Sequence, residues 1–174
     1  MIFIDGNDYR AAELRQIAPA LAFTVEPLQS GFATSAPEPE HKARDKVLAH
    51  VVPAGGSFAE AVDLLSMAGK SMRLELDSGN ANRFCKWWRE TPAKMELCVA
   101  LRREPDAEIQ VFSASCVGRI ANKPAGPLEL GWDRLFVPAE LDDEDETLAQ
   151  LSARGGVAAF RREVYGALSR ALGL

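Results

Sequence analysis

The sequence predicts a mixed α/β fold, because patterns typical of strands and patterns typical of helices alternate along the chain. Residues 1–5 are mostly apolar and predict a strand, and apolar residues at helical spacing follow from Asn7. Residues 95–101 and 109–112 alternate apolar with polar side chains on either side of a Glu-Pro-Asp turn, which predicts a hairpin. An amphipathic helix is predicted near the C-terminus, beginning near Val157.

The other elements follow from the same periodicities. They are strands at 21–25 and 72–76, a loop at 29–39, and helices at 41–52 and 81–88. A further helix is predicted at 57–68, where Ser57 and Glu60 have the spacing of a capping box. Because 174 residues is the usual length of one domain and the chain shows no internal repeat, we expect a single domain that covers residues 1–174.

Composition limits the classes of function. The chain has 174 residues, of which 47% are hydrophobic and 26% charged, and its net charge of −5 argues against nucleic acid as a partner. No apolar run is long enough to cross a membrane and the N-terminus lacks a signal-peptide pattern, so we expect a cytoplasmic protein without a membrane partner. The three cysteines have no paired spacing and are expected to be reduced thiols in the core. The chain has only two histidines, which excludes a histidine-rich zinc site, so any metal is expected on carboxylates, which suits Mg²⁺ or Mn²⁺.

The most distinctive stretch runs from Ser115 to Pro138. A strand ending in Gly118-Arg119-Ile120 leads through a loop rich in Pro and Gly into Leu130-Gly131-Trp132-Asp133, just before a second apolar strand. Glycine permits close approaches of the backbone, and a buried aspartate needs hydrogen-bond donors or a ligand. This stretch is therefore the first candidate for a functional site.

This stretch resembles the signature of the inosine triphosphate pyrophosphatase family, in which a Gly-x-Ile strand leads into Phe-Gly-[Tyr/Trp]-Asp-Pro-x-Phe-x-Pro. Order, spacing and residue types agree, except that Leu130 replaces the Phe and Arg134 replaces the Pro. The resemblance implies an elongated, twisted mixed sheet with flanking helices and a central cleft. It also implies metal-dependent cleavage of a nucleoside triphosphate to the monophosphate and pyrophosphate, in a protein that is commonly a homodimer.

The resemblance implies a phosphate site on two elements. The family's first strand ends in [Ser/Thr]-x-Asn-x-x-Lys, and Asp5, Asn7 and Arg10 stand at those places. Backbone N–H groups at a helix N-terminus and a cation one turn later suit a triphosphate. Lys46 matches a family lysine that points at the phosphates. The alternatives are that Asn7 is a helix N-cap and that Lys46 is a solvated helix lysine.

The catalytic and metal-binding acids are ambiguous. In one alignment with the family, Asp77 is the candidate catalytic base, and Glu75 lies on the same strand face. The candidate metal ligands are Asp77 and Glu40. His41 stands where the family has its metal-binding Glu. A second alignment, which matches Phe84-Cys85-Lys86-Trp87-Trp88 to a family segment, leaves no catalytic aspartate. The alternative role of Asp77 is that of N-cap of the following helix.

The groups expected to read the base are also altered. Trp132 and Asp133 are retained, while the family's C-terminal Ser-His-Arg survives only as Arg162, or as Ser152 and Arg154 in another alignment. The alternative without a functional role is that Arg161 and Arg162 lie on a solvated helix face. The first hypothesis is therefore a divergent nucleoside triphosphate pyrophosphatase. The second is a non-catalytic homologue that binds a nucleotide or a protein partner, and the third is an enzyme with different chemistry in the same fold.

Overall fold

The structure is a computed structural model that describes residues 1–28, 38–51, 53, 55–72 and 78–174. It confirms the mixed α/β fold: a six-stranded sheet carries strands in both orientations and is flanked by helices.

The sheet combines parallel and antiparallel pairs. Its strands are β1 (Ile2–Ile4), β2 (Thr24–Glu26), β3 (Ser57–Ser66), β4 (Pro92–Arg102), β5 (Gln110–Ile120) and β6 (Phe136–Pro138). Their order across the sheet is β2-β1-β3-β4-β5-β6. β1 runs parallel to β2 and β3, and β5 pairs antiparallel with β6. The predicted strands at 95–101 and 109–112 are confirmed as parts of the neighbouring strands β4 and β5.

Five α-helices accompany the sheet in the described residues. They are α1 (Asp8–Ile17), α2 (Pro39–Ala49), α3 (Ser78–Trp88), α4 (Leu148–Ala153) and α5 (Ala159–Ala171), with 3₁₀ helices at Leu128–Leu135 and Ala139–Glu144. The helices predicted after Asn7, at 41–52, at 81–88 and near the C-terminus are confirmed as α1, α2, α3 and α5. Within this described part of the chain, no helix combines the length and the apolar character needed to cross a bilayer.

The helix predicted at 57–68 is wrong, because residues Ser57–Ser66 form β3. This strand lies inside the sheet between β1 and β4, and side chains on both of its faces are buried. Apolar residues therefore occupy successive positions, and such a run also satisfies a helical spacing. Ser57 pairs with Ile2 of β1 instead of capping a helix. The strand predicted at 72–76 falls outside the described residues except for Met72.

The chain divides into two compact units, and the expectation of a single domain stays a prediction. The first unit comprises Met1–Val62, Leu97–Ala114 and Phe160–Leu174. The second comprises Asp63–Glu96 and Ser115–Ala159.

The first unit has an apolar core between its strands and α2. The core contains Ile4, Ala43, Val47, Ala59, Ala61, Cys98 and Ala100. Beside it the rings of Phe3 and Phe58 stack at a centroid distance of 4.7 Å. These contacts fix β1 and β3 side by side, and with them the loop that leaves β1.

The second unit holds the distinctive stretch between β5 and β6. Gly118 of β5 faces Pro138 of β6, and a Cβ added at Gly118 would lie 2.1 Å from the carbonyl oxygen of Val137. Only glycine therefore allows this strand pairing. The preceding 3₁₀ segment is kinked at Gly131, which has φ 46° and ψ −115°.

Candidate functional site

The loop between β1 and α1 is held in a defined conformation. Asn7 is the N-cap of α1, and its Oδ1 accepts a 3.0 Å hydrogen bond from the backbone N–H of Arg10. A Cβ at Gly6 would lie 2.6 Å from a ring carbon of Phe3, so the loop can pass over that ring only with glycine there. Asp5 has φ 57°, in the left-handed region. The N-cap role of Asn7 is thus observed, and its contact with phosphate stays a prediction.

The structure brings Lys46 of α2 to this loop. Its Nζ donates a 2.7 Å hydrogen bond to Oδ2 of Asp5 and a 3.0 Å bond to the backbone carbonyl of Glu60 in β3. The Lys46 side chain is 18% exposed. It is therefore a fixed cation beside the β1–α1 loop and not a freely solvated helix lysine.

Arg10 is engaged by carboxylates. Its side chain is 4% exposed, its Nη1 lies 2.9 Å and 2.8 Å from the two carboxylate oxygens of Glu13, and its Nε lies 3.4 Å from Oε1 of Glu60. This pairing gives Arg10 a structural role that differs from the phosphate contact implied by the resemblance, which stays a prediction.

Helix α5 completes a buried charge cluster, which we define as Arg10, Glu13, Glu60, Arg161 and Tyr165. Arg161 lies 3.9 Å from Glu13 and 3.8 Å from Glu60, and the Tyr165 hydroxyl donates a 2.7 Å hydrogen bond to Glu60. Burial raises the pKa of Tyr165 well above its usual value, and the nearby charge of Glu60 raises it further. Two arginines and two glutamates balance in charge, as a buried group of ions requires.

Sequence reasoning missed this cluster. The placement of Arg161 on a solvated helix face is wrong, because Arg161 is buried against the two glutamates, while Arg162 is exposed. The capping-box role predicted for Glu60 is wrong, because Glu60 lies within β3. The signal that could have found it is its position as a single charged residue within the apolar run Phe58-Ala59-Glu60-Ala61.

The candidate metal ligands are only partly described. Glu40 is exposed on α2, where its carboxylate accepts a 3.1 Å hydrogen bond from Nε of Arg44. His41 lies 2.9 Å from Glu38 on the same exposed turn. Asp77 and Glu75 fall outside the described residues. Among the residues that are described, no group of three or more potential ligands is placed to hold a metal ion, so these residues alone do not fit a metal site.

Two candidate base-reading residues, Trp132 and Asp133, lie in the second unit on the kinked 3₁₀ segment, and the third, Arg162, is exposed on α5 of the first unit. Asp133 is 1% exposed, which agrees with the burial expected from the sequence. The ring of Trp132 contacts Phe84 of α3 edge-on, with centroids 6.0 Å apart and planes at 67°. Phe84 thereby fixes one side of the indole, and Leu130, which replaces the family's Phe, is buried.

Arg134, the second departure from the family signature, is hydrogen-bonded to the loop that precedes the 3₁₀ segment. Its Nε donates a 3.1 Å hydrogen bond to the carbonyl of Gly126, and its own carbonyl accepts a 3.0 Å bond from Ala125. Burial raises the pKa of the neighbouring Cys85 thiol to about 11, against an opposing effect of the Arg134 charge. Cys85 therefore stays a neutral thiol at physiological pH.

The mixed six-stranded sheet with flanking helices is the architecture that the signature implies, and the chain also carries a glycine-dependent loop with an adjoining lysine and a buried aspartate after a half-buried tryptophan. The Ham1 family model matches residues 70–156 of this chain. The chain belongs to the Ham1 family, which confirms the resemblance seen in the signature.

Solved structures of other proteins have a similar fold over most or nearly all of this chain. The Ham1 protein of Staphylococcus aureus is 22% identical with a TM-score of 0.68, and the alignment covers 99% of this chain and 97% of that one. A HAM1 protein of Coxiella burnetii is 17% identical with a TM-score of 0.71, at 99% and 98% coverage. A nucleoside-triphosphatase / dITP/XTP pyrophosphatase of Mycobacterium abscessus is 23% identical with a TM-score of 0.55, at 88% and 90% coverage. No curated protein matches the chain.

Proposed function

We propose that this protein is a divergent, metal-dependent nucleoside triphosphate pyrophosphatase. It would hydrolyse a nucleoside triphosphate to the monophosphate and pyrophosphate, with non-standard purines as the first candidate bases. The observation that carries the proposal is the contact of Lys46 with the β1–α1 loop, which puts a fixed cation beside a helix N-terminus in a Ham1-family chain. The name of the Mycobacterium abscessus protein supports the same activity.

The phosphate part of the substrate is assigned to the first unit. Lys46 would supply the positive charge, and the backbone N–H groups at the start of α1, behind Asn7, would supply neutral donors. Arg10 acts in this proposal mainly through the buried charge cluster, which holds α1 against β3.

The base is assigned to Trp132 and Asp133, and Arg162 is kept as a separate candidate on the resemblance to the family alone. An indole held by Phe84 offers a flat apolar face for a purine, and a buried carboxylate can accept hydrogen bonds from ring N–H groups. Loss of a polar partner in such a site changes the preference between substrates by orders of magnitude, so the altered residues bear on which base is selected.

The metal requirement rests on residues that are only partly described. Mg²⁺ or Mn²⁺ would be held by Glu40 and Asp77, with Asp77 and Glu75 as the acids that act on water. The described carboxylates do not by themselves complete such a set. A homodimer in the cytoplasm is proposed on the resemblance to the family alone.

A specific observation favours a second candidate, a non-catalytic homologue that binds a nucleotide or a protein partner. Arg10 and Glu60 form an ion pair inside the buried charge cluster, and Asp5 forms an ion pair with Lys46. Residues that satisfy one another in this way can preserve a fold after its chemistry is lost.

The enzyme and the non-catalytic homologue are distinguished by an assay of pyrophosphate release from standard, deaminated and modified nucleoside triphosphates. The assay is run with Mg²⁺, with Mn²⁺ and with chelator. Metal-dependent release that is lost in Asp77→Asn and Lys46→Met supports the enzyme. Trp132→Ala should alter the preference between bases, whereas Trp87→Ala, at a tryptophan that is 71% exposed on α3, should not. No release by folded protein across the panel would favour the non-catalytic homologue.

A further inference from the structure

We propose that Asp5 sets the anion affinity of the Lys46 site, because its carboxylate competes with a bound phosphate for the Lys46 ammonium. This inference rests on the proposed function only in that it assigns phosphates to Lys46. It makes Asp5 a specificity-determining residue that lowers the affinity of the site for free polyphosphate.

The carboxylate of Asp5 takes up one of the N–H donors that Lys46 could offer to an anion. Oδ2 of Asp5 is 2.7 Å from Nζ of Lys46, and the Glu60 carbonyl takes a second N–H of the same ammonium. A lysine ammonium has three N–H donors, so two of them are directed to protein oxygens. Lys46 is 18% exposed and Asp5 is 44% exposed, so solvent and solutes reach the pair from the Asp5 side.

The backbone keeps Asp5 in this position. Its φ of 57° is one that aspartate and asparagine tolerate better than most residues. Its N–H donates a 2.8 Å hydrogen bond to the carbonyl of Glu26, and the next residue, Gly6, is fixed against the ring of Phe3. The carboxylate therefore cannot leave Lys46 by a shift of the loop without breaking these contacts.

The chemistry of the position differs from that of the family it resembles. A Ser or Thr hydroxyl at this place can donate a hydrogen bond to phosphate, whereas an ionised carboxylate only accepts. Asp5 therefore opposes an incoming anion twice, by occupying the cation and by like-charge repulsion. In Asp5→Asn the shape and the backbone preference are kept, the like-charge repulsion is removed, and the remaining amide oxygen binds the Lys46 ammonium more weakly than a carboxylate does.

The test is a titration of the protein with inorganic pyrophosphate in the presence of chelator, in which isothermal titration calorimetry measures the Kd. Asp5→Asn is expected to lower the Kd about tenfold, which corresponds to about 1.4 kcal/mol. Asp5→Ser, which restores a hydroxyl, should act in the same direction and serves if the first variant does not fold. In the Lys46→Met background Asp5→Asn should improve the Kd much less, since only the like-charge repulsion is then left to remove.

The matched control is Asp8→Asn, which removes the same charge from an exposed residue at the start of α1. An equal gain in affinity in Asp8→Asn, or a gain that persists in full without Lys46, would attribute the effect to overall charge and overturn the proposal. Pyrophosphate binding that needs Lys46 but ignores Asp5 would overturn it while keeping the phosphate site, and absence of binding in every variant would remove the site itself. A Lys46-dependent gain in a protein that releases no pyrophosphate from nucleotides would uphold it after the proposed function had failed.

Discussion

The hydroxyl of Tyr165 donates a 2.7 Å hydrogen bond to Oε2 of Glu60, which joins α5 to β3 in the interior of the first unit. The Tyr165 side chain is fully buried, and its raised pKa keeps the phenol protonated and able to donate across the physiological pH range. Glu60 also receives Arg10 and Arg161, while its backbone carbonyl holds Lys46. A single residue of β3 thus connects two helices with the candidate phosphate site.

Tyr165→Phe keeps the ring and removes the hydroxyl from Glu60. We expect the free energy of unfolding to fall by about 1–3 kcal/mol, because a buried carboxylate loses one of its hydrogen-bond donors. Urea denaturation measures the change, and Tyr9→Phe, at a half-buried tyrosine of α1, is the control that should lie within about 0.5 kcal/mol of the parent. Equal midpoints for Tyr165→Phe and the parent protein would show that this hydrogen bond contributes nothing to stability.

Glu60→Gln should cost more, because it leaves Arg10 and Arg161 with Glu13 as the remaining carboxylate of the cluster. Breaking a buried ion pair by removing one partner typically costs about 3–5 kcal/mol. Arg161→Leu alone should destabilise the protein for the opposite reason.

The double variant Glu60→Gln/Arg161→Leu restores the charge balance between Arg10 and Glu13. It should therefore be less destabilised than the sum of the single variants, by a coupling of about 0.5–3 kcal/mol. Strict additivity in the double-mutant cycle, measured by denaturant unfolding, would contradict the view that these residues act as one cluster.

The fold was largely predictable from the sequence, and the error at β3 shows where periodicity fails. Strand β5 and helices α1 and α5 each have one more deeply buried face or stripe, so their periods can be read directly. β3 is buried on both faces, and its apolar run carries no period of two. Its position between β1 and β4 is a property of the sheet, which local sequence does not contain.

The candidate site was predictable only where the family signature reaches. Lys46, Trp132 and Asp133 were found through the resemblance, and the burial of Asp133 agrees with its place between apolar strands. Arg161 differs from Arg162 only by one position of helical phase, so sequence patterns could not decide which of them is buried. The role of Glu60 depends on contacts with α1 and α5, which lie far from it in the chain.

Gly118→Ala should disturb the pairing of β5 with β6. The added methyl would lie 2.1 Å from the backbone oxygen of Val137 and 2.8 Å from Cα of Pro138, and neither backbone atom can move aside without shifting the strand. We expect a loss of about 1–3 kcal/mol or more in the free energy of unfolding. Gly166→Ala in α5 is the control and should stabilise the protein by about 0.5–1 kcal/mol, because its nearest neighbour is the flexible end of Arg170. Similar small effects at both positions would contradict the close contact at Gly118.

Cys85 should resist alkylation in the folded protein. With a pKa raised to about 11, the fraction of reactive thiolate at pH 8 is on the order of a thousandth, and burial adds a steric barrier. Mass spectrometry after treatment with iodoacetamide at pH 8 should find Cys116, which is partly exposed, modified well before Cys85. In urea the thiol returns to an ordinary pKa, so Cys85 should then react as fast as Cys116. Rapid labelling of Cys85 without denaturant would show that α3 opens readily from the packing of Phe84 on Trp132, and would weaken the assignment of Trp132 as a fixed face for the base.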